Sequence, residues 1–102
     1  MTHQRENFEQ AFGLLNFKVY EQAINLFQND LKENPLNLAS YHNIGLAQIY
    51  LGIDRRSTEL LKEAIKNLEK AIDISNQRQF NNGYPSAEAN LTWAKDELAK
   101  LK

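Results

Sequence analysis

The stretch YEQAINLFQNDLKENP, Tyr20–Pro35, decides how this chain is read, because its helical face is written a second time. Forty-one residues after Tyr20 the chain reads LKEAIKNLEKAIDIS, Leu61–Ser75. Ala23 and Ile24 return as Ala64 and Ile65, Phe27 as Leu68, and Leu31 as Ile72. Within each copy the apolar residues stand three and four apart, the spacing of one helix face. Leu91, Ala94, Leu98 and Leu101 form a third such stripe. No segment shows sustained period-two alternation rich in β-branched residues, so the expected fold class is all-α.

Working outward, the punctuation marks five helices, at about 3–16, 18–33, 38–51, 57–75 and 85–101. Pro35 ends the second, because proline disfavours helical geometry in the residue before it. Gly52 suits a helix C-terminus that turns left-handed. Asp54, Ser57 or Thr58 can cap the fourth helix. NNGYP, Asn81–Pro85, is the strongest turn signal, and Pro85 fits the first turn of the fifth helix.

The duplication extends upstream with a different spacing. Phe8 pairs with His42, Ala11 with Gly45, Phe12 with Leu46, Leu15 with Ile49 and Lys18 with Gly52, each 34 residues apart. Beyond Gly52 the spacing is 41, so seven extra residues lie between Gly52 and Ala64. Seven residues make about two helical turns and preserve the facing side. The expectation is that IDRRSTELL lengthens the fourth helix at its start.

A helix-turn-helix unit of 34 residues resembles the tetratricopeptide repeat (TPR). The second unit carries Tyr41 in the large-residue slot, then Ile44-Gly45, Gly52, Ala64, Leu68 and Ala71. The first carries Ala11 in the small slot, then Tyr20, Ala23, Phe27 and Pro35, but departs at Asn7, Gln10 and Asp30. The fifth helix places Leu91-Thr92 in the Leu-Gly slot and Glu88 in the aromatic one. The resemblance implies a single domain over 1–102. Repeat 1 would span about 4–37 and repeat 2 about 38–78 with the insertion. A capping helix at about 85–101 would complete a TPR-like α-solenoid.

Composition narrows the function classes. The 102 residues carry a net charge of −1, without the basic excess usual for a nucleic-acid reader. With no Cys there are no disulfides or thiolate metal sites, which fits a reducing compartment. No apolar run reaches the roughly 18–20 residues of a membrane span. The N-terminus MTHQRENFEQ is polar and carries acid, unlike a secretory signal, so a cytoplasmic chain is expected. His3 and His42 belong to no metal-ligand or catalytic spacing, and the four Gly are too scattered for a phosphate loop. We therefore expect no enzyme, cofactor or metal.

In the family it resembles, the first helix of each pair lines a groove that receives a partner peptide or helix. The repeat register brings three rows to that face: Phe8, His42 and Ala89; Glu9, Asn43 and Asn90; Phe12, Leu46 and Trp93. Leu15 and Ile49 continue the apolar side. Trp93 leaves the stripe of its own helix by about 100° from Ala94, as a contact residue would. The competing reading is that Phe8, Ala11, Phe12 and Leu15 are core, and that Trp93 packs on the fourth helix or under the loop after it. The carboxylate clamp of some TPR domains is absent: Phe8, Phe12, Ser86 and Asn90 stand in four of its slots, with only Asn43 matching. The implied function is a non-catalytic adaptor for a protein or peptide partner. The alternative is a self-associating unit whose groove or end face is filled by another copy.

Overall fold

The computed structural model describes residues 9–11, 13–78 and 84–102, and every regular element among them is helical. Helix α1 covers residues 9–11 and 13–16. It is followed by α2 (Tyr20–Glu33), α3 (Leu38–Arg55), α4 (Thr58–Gln77) and α5 (Pro85–Lys100). Expectations that rest on Phe8, Phe12, the start of the first helix or Asn81–Gly83 lie outside the described residues. No described helix is long and apolar enough to cross a membrane.

The repeated stripe is the core. Ala23, Phe27, Ala64 and Leu68 are all fully buried. One cluster joins Ala11, Ala23, Phe27 and Ile44 across α1, α2 and α3. The other joins Ile49, Leu61, Ala64, Leu68, Ala87 and Ala94 across α3, α4 and α5. Helix α3 takes part in both and packs against α2, α4 and α5. Its buried residues therefore run nearly continuously from Asn43 to Gly52 instead of forming a stripe. The molecule is 19 Å thick, two helix diameters.

Two turns share one geometry. After α1, the Lys18 N–H donates to Leu15 O and the Val19 N–H to Leu14 O. After α3, the Arg56 N–H donates to Ile53 O and the Ser57 N–H to Gly52 O. Both are Schellman turns, which close a helix through one left-handed residue. That residue is Lys18 (φ 63°) in the first and Arg56 (φ 51°) in the second.

This corrects two expectations. Gly52 is not the left-handed residue; it is buried inside α3. And the seven extra residues do not all lengthen α4. From Lys18 to Arg56 is 38 residues, so four of the seven extend α3 before the turn and three extend α4 after it. Each helix of the second pair gains about one turn, or about 5 Å.

Gly52 is small for another reason. A Cβ at Gly52 would stand 2.8 Å from Leu61 Cγ, and one at Gly45 would stand 2.7 Å from Leu68 Cγ. The two glycines are seven residues apart on α3, as are the two leucines on α4. The helices approach until each leucine sits on the bare backbone of the other.

The element ends follow local chemistry. Ser57 Oγ accepts from the Leu60 N–H at 3.1 Å and caps α4. Asn37 Oδ1 accepts from the Ala39 N–H at 3.2 Å and caps α3. Pro85 opens α5 as expected. Asp30, where the TPR pattern has a small residue, is only 2% exposed. Its Oδ2 accepts from Ser40 Oγ at 2.6 Å and from Asn37 Nδ2 at 2.7 Å, tying α2 to the start of α3.

A left-handed backbone costs a residue with a Cβ about 1–2 kcal/mol. Arg56→Gly is therefore expected to raise stability, by about 0.5–1 kcal/mol once the greater freedom of the unfolded glycine is subtracted. Urea unfolding of the two chains checks this, with the same denaturant slope in both.

Candidate functional site

A cleft of about 480 Å³ opens beside the first Schellman turn. Leu15 and Asn16 from the end of α1, Lys18 from the turn, Tyr20 from α2, and Asn43, Leu46 and Tyr50 from α3 line it. Asn43, Leu46 and Tyr50 are three and four residues apart, so one helix face carries all three. The turn sets Lys18 and Tyr20 at the rim. Lys18 is the one formally charged side chain among these seven.

The walls are apolar and aromatic. Tyr20 stacks on Tyr50, with centroids 5.1 Å apart and planes at 9°. Tyr50 receives Trp93 edge-on at 5.4 Å and 80°. An aromatic row thus crosses α2, α3 and α5. Burial, and secondarily the neighbouring Tyr50, push the Tyr20 hydroxyl above its usual pKa. Phe17, next to the rim, is 83% exposed.

Asn43 differs from the rest of the lining. It is 6% exposed, yet no described residue hydrogen-bonds its amide. Buried polar groups are almost always paired, and no fully buried side-chain polar atom among the described residues lacks a partner. The Asn43 amide therefore keeps contact with solvent through the cleft it lines. The other buried amide, Gln48, is satisfied: it accepts from Asn67 Nδ2 at 2.8 Å and donates to Glu63 Oε2 at 3.2 Å.

Of the ten residues expected to meet a partner, the structure gathers Leu15, Asn43 and Leu46 into this cleft. Phe8 and Phe12 lie outside the described residues. Ile49 is a correction: it is fully buried against α4 and α5 and belongs to the core. His42 and Asn90, expected on a partner-facing surface, lie outside this cleft lining and engage each other: Asn90 Nδ2 is 2.9 Å from His42 Nε2. The other ring nitrogen, Nδ1, is 3.2 Å from Tyr84 Oη. Both residues spend polar atoms on fastening α5 to α3. Burial lowers the His42 pKa below its ordinary value. Ala89 is exposed on α5, apart from the cleft lining. Trp93 is half-buried, edge-on to Tyr50 of α3 and packed against the cluster that α3, α4 and α5 share.

Repeat register alone does not point to Lys18, Tyr20 or Tyr50 as site residues. Tyr50 was legible, since it completes the i, i+3, i+7 face begun by Asn43 and Leu46. Lys18 and Tyr20 reach the cleft only through the left-handed turn, which no residue type announced. Among the described residues no three His, Asp or Glu side chains come together as a metal site. Neither a protein-family model nor a curated protein nor a solved structure matches this chain.

Proposed function

We propose that the chain is a TPR-like pair of helical hairpins with a terminal helix, acting as a non-catalytic module that binds a partner peptide in the Leu15–Leu46–Tyr50 cleft. The observation that carries this reading is the Asn43 amide, nine-tenths buried, lining an apolar cleft and unpaired by any described residue. A peptide backbone supplies both the donor and the acceptor that such an amide uses. Leu15, Leu46 and the tyrosine faces take an apolar side chain. Lys18 at the rim favours a peptide with an acidic group beside that apolar residue.

The test begins with peptides selected from a displayed library against the folded chain. Their affinity is then measured for wild type, Leu46→Glu and Asn43→Leu. Leu46→Glu is expected to weaken binding at least tenfold with the helical circular dichroism unchanged. Equal affinity in both variants would move the site elsewhere.

A second reading rests on Phe17. Its 83% exposure beside the cleft suits a second copy, each chain lodging its Phe17 in the other's cleft. A mass that rises with concentration favours this reading over the adaptor; a constant monomer mass removes it.

A further inference from the structure

We propose that the His42–Tyr84–Asn90 cluster is a pH-sensitive latch that holds the terminal helix α5 on α3 at neutral pH and loosens it in mild acid. Every contact of the cluster crosses between the two elements. His42 lies on α3, Asn90 on α5, and Tyr84 immediately before α5. Both ring nitrogens are engaged, at 2.9 and 3.2 Å, and the His42 and Tyr84 rings are tilted against each other at 5.2 Å.

The bonding pattern suits the neutral ring. With the Asn90 amide donating to Nε2, the single ring proton sits on Nδ1 and is donated to Tyr84 Oη. A second proton on Nε2 would face the Asn90 NH₂, donor against donor. Turning the amide over would present its oxygen instead, but the added charge would still be half-buried. Among the described residues, none is seen to compensate that charge. On α3, the residues one turn away are Leu38, Ala39, Gly45 and Leu46. On α5, the residues one turn from Asn90 are Ser86, Ala87, Trp93 and Ala94. The nearest acid in sequence to Tyr84 is Glu88, whose Oε2 accepts from the Tyr84 N–H at 3.2 Å. The acids and lysines of α4 from Glu59 to Asp73 are all exposed, as is Glu9 on α1. Asp30 of α2 is bound to Ser40, about 200° around α3 from His42.

The sign follows from burial. A folded imidazole that resists protonation is protonated later than the free one as pH falls. Its contribution to holding α5 is complete above about pH 6.5, the free imidazole's midpoint, and is lost as pH falls from there through the folded value. By the pH at which both forms are protonated, the open population has risen about tenfold for each pH unit that separates the two midpoints. Helix α5 is the element where this shows first: it ends the stack, and only Ala87 and Ala94 on it are fully buried.

Amide hydrogen exchange tests the latch. Protection of α5 is compared with that of α4 at pH 7.5 and 5.5, after correction for intrinsic exchange rates. In the wild type the α5-to-α4 protection ratio is expected to fall severalfold or more on acidification. In His42→Gln, which keeps His3, the ratio should be equal at the two pH values. In Asn90→Asp a carboxylate faces Nε2 and welcomes the second proton, so acidification from pH 7.5 to 5.5 should raise α5 protection. A wild-type ratio that does not change overturns the proposal. So does a His42→Gln chain with the wild-type pH response. If His42→Gln fails to fold, the direction of the Asn90→Asp response decides between the two.

Discussion

Replacing Asp30 with Ala will lower the unfolding free energy by about 2–4 kcal/mol, although Ala is the kind of residue the repeat pattern would place there. The substitution removes the acceptor of two hydrogen bonds while leaving both donors in place. Ser40 is fully buried, and a stranded buried donor costs about 1–3 kcal/mol. Asn37 loses the bond that orients its amide as the cap of α3, and a lost cap costs about 1 kcal/mol. If the stranded hydroxyl is the reason, Asp30→Ala with Ser40→Ala will be more stable than Asp30→Ala alone. Denaturant unfolding of the three chains decides this. A loss below about 0.5 kcal/mol in the single variant would mean that Asp30 is incidental to the α2–α3 junction.

Leu68→Ala will cost about 2–5 kcal/mol, because a fully buried leucine leaves a cavity that its neighbours only partly fill. The sharper expectation concerns Gly45 in the two backgrounds. Gly45→Ala alone will destabilise: its methyl would stand 2.7 Å from Leu68 Cγ and 3.2 Å from the Ala64 carbonyl oxygen. Overpacking of this kind costs about 1–3 kcal/mol, against about 1 kcal/mol gained in helix propensity. In the Leu68→Ala background the methyl enters the space the leucine vacated, and the same substitution will stabilise. A change of sign between backgrounds is what direct contact produces. Two independent effects that simply add would mean that α3 and α4 adjust their separation freely.

The helical stripes were legible because they depend on spacing alone. Ala23, Phe27, Ala64 and Leu68 read as a buried face and are one. Element ends were legible where a residue had a single local use, as with Pro35 and Pro85, while the cap of α4 was narrowed only to Asp54, Ser57 or Thr58. Gly52 misled because glycine serves two physical needs, a left-handed turn and a close helix contact, and one sequence does not say which. The true left-handed residues, Lys18 and Arg56, carry side chains and give no sign of it. The candidate site was legible in part. Leu15, Asn43 and Leu46 follow from repeat register, and Tyr50 extends their face. The pairing of His42 with Asn90 was not legible, because it depends on how α5 lies across α3, 48 residues away in the chain. Register with Leu15 points Ile49 toward a surface, but α3 is covered on more sides than α1 and Ile49 is buried.

The unequal heights of the two helix pairs bear on modularity. The first pair turns at Lys18 and the second one helical turn further along, at Arg56. The extra turn of α3 leaves Ile53 38% exposed, and Arg55 on that turn pairs with Glu21 of the first pair at 2.8 Å. On its other side Ile53 lines a small cleft together with Glu97, Lys100 and Leu101 at the far end of α5. The two hairpins are therefore not interchangeable parts. Placed after the second, a copy of the short hairpin would leave that ledge bare, whereas a copy of the long one would cover it. A tandem array built on this chain has to be extended with residues 38–78, not with the shorter unit that precedes them.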